Sequence, residues 1–254
     1  MKPARLRTLS YFTLYSGILL VLLTPLYMYF SDDVAKLKVN YPHIVPVENE
    51  QPDFVIKPTK PKHWVPLKGI SSFAKWAIVL SEDWSFYQHE GIDVAQIKAA
   101  FNDILEGERF RGASTITQQM VKNIYLTGDR SIWRKIHEII LAQKVERVLT
   151  KDRILEVYLN SIEFGPEIYG IKNASYHYFR KHPSAINPKE AAFLAMLLPS
   201  PKRYYVSYKN KALTPFARQR VNAILGKMRM GKVLSEDQYK IQKQNRLTWE
   251  RHSD

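Results

Sequence analysis

Residues 81–93 read SEDWSFYQHEGID, and their place between two apolar helical patterns decides how the chain is organised. Before them, Ser71 can cap an apolar helix running to about Leu80, which ends on the adjacent acidic pair Glu82 and Asp83. After them, Asp93 with Gln96 three residues on makes a helix-start box, and Val94, Ile97, Phe101, Ile104 and Leu105 recur on one face until Gly107. An acidic pair, aromatics, His89 and Gly91 thus crowd one corner between two helices. The plain reading is a helix end trailing into a polar loop. A second stretch, residues 111–123 (RGASTITQQMVKN), weighs against it. There Thr115 and Gln118 repeat the box logic, and Lys122 with Asn123 follows on the same helix, so the two stretches together predict a site.

The pattern further along is helical almost throughout. Ser131 opens a helix to about Leu149, and Thr150 opens another through Asn160. Residues 161–170 (SIEFGPEIYG) are punctuated by Gly165, Pro166 and Gly170 and predict a loop or short hairpin. Asn187, Pro188 and Glu190 place a cap, a first-turn proline and a box glutamate before the apolar run 191–198. Thr214-Pro215, and Ser235 with Gln238, begin two more helices. No convincing alternating strand run is present, so the expected fold class is mainly α.

Upstream, residues 11–30 (YFTLYSGILLVLLTPLYMYF) carry no charge, and a helix of that length spans roughly 30 Å of hydrocarbon. Lys2, Arg5 and Arg7 precede the run, while Asp32 and Asp33 follow it. The positive-inside bias therefore predicts a cytoplasmic N-terminus (1–10), a transmembrane signal anchor (11–30) and the remainder outside. Prolines at 42, 46, 52, 58, 61 and 66 are too closely spaced for a long helix, so residues 31–60 are expected to be an extended linker before a domain over 61–254. Tyr41, Phe54 and Trp64 are the residues through which that linker would lie against the domain.

Among the 254 residues, 45% are hydrophobic and 24% charged, which excludes wholesale disorder. The net charge of +14 asks for an anionic partner, and a chain facing outward makes that a membrane surface or a phosphate-bearing substrate, not nucleic acid. Zero cysteines rule out disulfides and thiolate metal sites, and the seven histidines show no H-E-x-x-H spacing, so no metal-ligating set is expected.

One helix face carries Arg134, Lys135 and Glu138, three and four residues apart. With it the motifs resemble the peptidoglycan glycosyltransferase family, seen in monofunctional cell-wall transglycosylases and in the N-terminal halves of class A penicillin-binding proteins. The match begins with Glu82, Asp83, Phe86, His89, Gly91 and Asp93, then Gly112, Ser114, Thr115, Gln118, Gln119, Lys122 and Asn123. It goes on through Arg134, Lys135 and Glu138, the run ILEVYLN at 154–160, and EAAFLA at 190–195.

The resemblance implies a lysozyme-like helical lobe with a smaller membrane-facing lobe, and a single-pass protein of the inner membrane whose catalytic domain is periplasmic. The reaction it implies is polymerisation of lipid II into glycan strands, by inverting transfer that releases a polyprenyl diphosphate. Glu82 matches the family's catalytic base, and Glu138 its second essential acid, whose role is open among orienting cations, holding a divalent ion and donating a proton. Lys122, Arg134 and Lys135 match the cations that meet the diphosphate. Asp83, Ser114, Thr115, Gln118, Gln119 and Asn123 would offer polar contacts to substrate, with Phe86 and His89 on the substrate side shaping the wall beside Glu82. No cofactor is implied, although a divalent cation such as Mg is compatible with the pattern. Lipid II, the lipid-linked glycan chain, the membrane and other cell-wall synthesis proteins are the implied partners.

Three departures from the family pattern stand out: Arg111-Gly112-Ala113 before the Ser-Thr pair, Arg180 where glycine is usual, and Pro166 in the glycine-rich turn. Ser72 and Lys75 match the S-x-x-K of transpeptidases, but no K-T-G follows, so a monofunctional enzyme is expected. A lysozyme-like glycan-cleaving enzyme and a non-catalytic membrane-anchored scaffold are the competing readings.

Overall fold

The computed structural model describes residues 34–47, 52–105, 114–126 and 131–251. The expected membrane anchor and N-terminus, the 107–113 loop and the helix end near Gly128 lie outside the described residues. No helix among those described is long and apolar enough to cross a membrane.

The described chain is mainly helical, around a helix that touches almost no water. Every residue of α7 (Pro188–Leu197) is buried, as the run 191–197, apolar on all sides, requires. Asn187 starts it as the sequence suggests: its side chain accepts from the Glu190 N–H, and Glu190 accepts from the Asn187 N–H. Against α7 pack α1 (Ser72–Glu82) and α10 (Pro215–Met230), and α10 also touches α1. A second group joins α3 (Ile116–Tyr125), α4 (Ile132–Val148) and α5 (Lys151–Ser161), with α3 against both of the others. The remaining helices are α2 (Val94–Leu105), α6 (Ile171–Phe179), the short α8 (Pro201–Tyr204) and α9 (Val206–Lys209), and α11 (Glu236–Gln244).

Most caps follow the sequence signals. Thr115, Ser131, Thr150, Thr214 and Ser235 each accept a backbone N–H three residues on. Two differ. Ser71 makes no cap bond, because its hydroxyl donates to the Ile186 carbonyl and ties α1 to the segment before α7. Asp93 accepts from the Gln96 N–H, but the Gln96 side chain returns to the Asp93 carboxylate instead of its backbone.

The expected linker is structured from residue 34. A 3-10 turn at Val34–Lys38 buries Val34 and Leu37 completely against α4, and Arg153 donates to the carbonyls of Leu37 and Asn40. Strands β1 (Tyr41–Val45) and β2 (Asp53–Lys57) then pair antiparallel, with Tyr41 opposite Lys57 and Val45 opposite Asp53. Proline spacing excludes a long helix but not a two-stranded ribbon, whose free edges tolerate Pro42. Past the ribbon, the 64–67 segment is clamped by α5. Glu156 accepts from Trp64 Nε1 and the Leu67 N–H, and Asn160 bonds both the N–H and the carbonyl of Val65.

Residues 161–170 form the short hairpin β3 (Glu163–Gly165) and β4 (Ile168–Tyr169). Pro166 and Glu167 make its tip, and Glu167 takes the positive φ of 61° that a glycine would adopt more cheaply. Gly170 follows at φ 80°, where an added Cβ would lie 2.7 Å from the Asn160 carbonyl oxygen, so here a side chain is excluded twice over. On α2, Val94 and Ile97, the first two residues of the expected apolar stripe, are exposed.

Candidate active site

Glu82 is the last residue of α1, so its carboxyl emerges where the helix ends and the corner begins. Gln119, one turn into α3, donates from Nε2 to Glu82 Oε2 over 3.0 Å. The other end of that amide accepts from the Tyr158 hydroxyl at 2.8 Å, and Tyr158 is fully buried in α5. Burial pushes the Glu82 carboxyl above its ordinary range, with Asp83 adding to the rise; the Gln119 bond and the cations Lys227 and Arg220 pull it back. A desolvated carboxylate of this kind is a better proton acceptor than one in water.

Lys227 and Arg220 belong to α10 and sequence reasoning passed over them. Lys227 donates to the Ser81 carbonyl at 3.2 Å, and desolvation, then Arg220, lower its pKa while Glu82 raises it. Their seven-residue spacing, two turns on one face, was the available signal.

Asp83, expected among the substrate contacts, is fully buried. Its Oδ2 accepts from the Ile116 N–H at 2.9 Å, and its Oδ1 from His89 Nε2 at 2.8 Å. Because the Gly91 N–H donates to His89 Nδ1, the ring proton is assigned to Nε2. Gly91 holds φ 83°, and an added Cβ would lie 3.0 Å from the Ala142 carbonyl. Asp83 therefore anchors the first turn of α3 to the end of α1. Phe86 is likewise fully buried, with the Lys151 ammonium 4.5 Å above its ring. Thr115 and Gln118 are buried and joined in their capping box, and Thr115 also donates to the Gly91 carbonyl. These side chains build the corner.

Asp83, His89 and Asp93 place three ligand-type atoms within 4.8 Å of one another. The Asp83 and His89 atoms are engaged as above, and Asp93 accepts from Ser85, from the Gln96 N–H and from Gln96 Nε2. The donor set is satisfied by protein hydrogens, which is a structural network and not a vacant ligand cage.

A second group forms where α4 faces the start of α3. Glu138 is almost fully buried and pairs with Lys135 three residues back and, at 3.7 Å, with Arg134 four back. Lys135 also donates to Ser114 Oγ at 3.1 Å, so one ammonium ties α4 to the residue before the α3 cap. The helical spacing read from the sequence thus brings all three charges together. Gln119, Lys122 and Asn123 line a cavity of about 350 Å³, whose other walls come from Phe54 of β2, Glu163 of β3 and Lys202 of α8. Nothing in the local pattern of residues 52–54 or 199–202 announced these walls, because they arrive by long-range packing.

The family model described as transglycosylase matches residues 52–229. The chain belongs to the transglycosylase family. Among its relatives, a protein named biosynthetic peptidoglycan transglycosylase from Herminiimonas arsenicoxydans is 34% identical over 232 residues, 88% of this chain and 96% of its own length. Proteins of the same name from Nitrosospira multiformis and Shewanella denitrificans are 40% and 48% identical, over 65% and 63% of this chain and 70% and 68% of theirs. The transglycosylase match begins at residue 52, so it takes in β2 and both cavity-lining residues of that segment, Pro52 and Phe54.

Proposed function

We propose that the chain polymerises lipid II into glycan strands as a peptidoglycan glycosyltransferase, with Glu82 as its general base. The observation that carries this reading is the Glu82 carboxylate, desolvated at the end of α1 and oriented by Gln119 from the same helix that presents Lys122. An acceptor sugar hydroxyl attacks the anomeric carbon of the donor. Its oxygen forms the new glycosidic bond, its proton passes to Glu82, and the bond from the anomeric carbon to the diphosphate breaks on the opposite face. The departing polyprenyl diphosphate keeps the electron pair. Attack opposite the leaving group inverts the anomeric centre. General-base assistance of this kind is typically worth about 10²- to 10⁴-fold.

Charge builds on the diphosphate as it leaves, and fixed cations stabilise that state more than the ground state. Lys122, Arg134 and Lys135 fill this role, and Glu138 holds the last two in place. Ser114 keeps Lys135 directed toward α3, while Asn123 adds a polar contact beside Lys122.

The membrane reading rests on two features. Residues 11–30 have the length and apolarity of a single span, with the positive residues on its N-terminal side. Ile132, 79% exposed, and Trp133, 49% exposed, precede Arg134 and Lys135 on α4, a pairing of apolar and basic groups suited to a headgroup boundary. The exposed Val94 and Ile97 of α2 suit the same boundary. A smaller membrane-facing lobe beside a lysozyme-like one, a periplasmic catalytic domain and partners among cell-wall synthesis proteins belong to this reading. Confinement of enzyme and substrate to one bilayer raises their effective concentration.

The test is polymerisation of labelled lipid II by the detergent-solubilised full chain, beside Glu82→Gln, with products resolved as a ladder. A ladder that disappears in the variant supports the reaction and its base. A wild-type chain that binds lipid II and yields no ladder under varied detergent and divalent-ion conditions would sink it.

A further inference from the structure

A second open cavity, of about 510 Å³, lies at the start of α1, the end of that helix opposite Glu82. Lys75 from the first turn of α1 and Lys68 from the 3-10 turn Leu67–Gly69 line it, together with Asp152, Arg153 and Glu156 of α5. Both carboxylates are already engaged. Asp152 accepts from the Tyr87 hydroxyl at 3.2 Å, and Glu156 accepts from Trp64 Nε1, the Leu67 N–H and Arg153 Nη1. Among the described residues, neither Lys68 nor Lys75 has a hydrogen-bond or ion-pair partner for its ammonium. Three cations against two acids, with the uncommitted charge on two ammoniums, make the cavity a receptor for an anion.

Arg153 fixes where that cavity stands. It lines the cavity and also donates to the carbonyls of Leu37 and Asn40. Those residues follow closely on the uncharged run 11–30. Val34 is four residues past its end, which at about 3.5 Å per residue is roughly 14 Å of chain at most. Lipid headgroups fill roughly the first 5–8 Å outside the hydrocarbon. The surface around the cavity has the composition of such a boundary. Lys38 and Val39 are exposed on the entering chain, and next to Lys75 the exposed Trp76 packs on the exposed Tyr87, ring centroids 5.7 Å apart. Trp and Tyr gather at the membrane–water interface, and lysines beside an anchor attract anionic headgroups.

We propose that Lys68 and Lys75 bind the phosphate of an anionic phospholipid headgroup in this cavity, holding the start of α1 against the bilayer. This rests on the membrane reading above and goes beyond it, because it assigns selectivity for a lipid class to two residues outside the reacting assembly. A zwitterionic headgroup fits less well, since its own cation faces the two ammoniums. An acidic glycan would also meet the lysines, but the bonds from Arg153 to the chain beside the anchor favour the lipid.

Native mass spectrometry of the detergent-solubilised full chain, titrated with phosphatidylglycerol or phosphatidylcholine, reads the affinity of bound lipid. Phosphatidylglycerol is expected to bind about tenfold to a hundredfold more weakly to Lys68→Gln/Lys75→Gln than to the wild type. Asp152→Asn removes a negative charge and keeps an acceptor for Tyr87, so it should tighten binding by about twofold to fivefold, a gain that misfolding does not produce. In nanodiscs, phosphatidylglycerol should slow acylation of Lys68 and Lys75 by a water-soluble amine reagent relative to phosphatidylcholine alone, with the exposed Lys240 of α11 unchanged. Equal binding of the two lipids, or phosphatidylglycerol binding that the double variant leaves intact, overturns the inference. Displacement of the lipid by equimolar inorganic phosphate, or by soluble acidic peptidoglycan fragments, overturns it too, by assigning the site to a free anion or to glycan. If an alkaline wash strips the chain from membranes, the anchor reading fails, and lysine-dependent affinity in detergent still decides the site. Polymerisation of lipid II by the double variant in detergent should match the wild type, which keeps the reaction apart from both.

Discussion

Gln119 stands between Glu82 and Tyr158, donating to the carboxylate at 3.0 Å while accepting from the phenol at 2.8 Å. The carboxylate can only accept, so it fixes which end of the amide faces it, and the buried Tyr158 locks that choice from behind. One side chain thereby aims the proposed base and opposes the rise in pKa that its burial causes.

The pH profile should report this arrangement. A base works ionised, so a raised pKa moves the acidic limb of kcat/KM above the ordinary 4.5 of a glutamate. Gln119→Leu removes a bond that favours the charged form and should push the limb further toward neutrality. Lys227→Ala should move it the same way by removing a nearby cation. A limb at the ordinary value, unmoved by either change, would mean that Glu82 is not the base.

The neighbours Glu82 and Asp83 should respond oppositely to neutralisation. Glu82 titrates higher folded than unfolded, so the folded chain holds its proton more tightly. Stability is then lost as pH rises from the unfolded value through the raised one, and that cost persists above it. Glu82→Gln should accordingly raise Tm at neutral pH while abolishing activity, with the gain vanishing below the ordinary carboxylate range. Asp83→Ala leaves the Ile116 N–H and His89 Nε2 unmet in the interior and should cost about 2–4 kcal/mol. Thermal unfolding of both variants across pH checks the contrast, and a stabilised Asp83→Ala would contradict the anchoring role assigned to it.

What the sequence made legible is local chemistry. The boxes at Thr115 and Asn187, the one-face charges of Arg134, Lys135 and Glu138, and the hairpin at 161–170 each depend on residues a few positions apart. The missed features depend on distant partners. Lys227 reaches Ser81 across 146 positions, and Asn160 reaches Val65 across 95. The β1–β2 ribbon escaped because its prolines read as a linker, and the burial of Leu37 before it and Trp64 after it comes from long-range packing. The setting of Asp83 was hidden for the same reason: its complete burial and its bond from the Ile116 N–H, 33 positions on, depend on packing that the adjacent pair Glu82-Asp83 does not announce.

Arg180 closes α6 in the left-handed region at φ 57°, the departure from glycine that the sequence shows. A side chain there carries a steric cost of roughly 1–2 kcal/mol, part of which glycine returns as chain entropy. Arg180→Gly should therefore stabilise the chain by about 0.5–1 kcal/mol, at roughly 2–4 °C per kcal/mol in a domain of this size. Polymerisation should be unchanged at low temperature and persist to a higher one. A lower Tm would show that the Arg180 side chain contributes more than its backbone costs.

Glu138 separates orientation from proton transfer. Almost fully buried, it pairs with Lys135 and Arg134, and Lys135 in turn reaches Ser114. If Glu138 acts by holding those cations, Glu138→Gln should lower kcat by about 10²- to 10³-fold, as the loss of one preorganised electrostatic contact does. Lys135→Ala should cost a similar factor. The decisive quantity is the double variant, because groups that act as a unit are not additive. Orientation predicts that Glu138→Gln adds little once Lys135 is gone, whereas a proton donor acting independently would multiply the two losses. A multiplied loss would return Glu138 to the chemistry itself and leave Arg134 and Lys135 to the diphosphate alone.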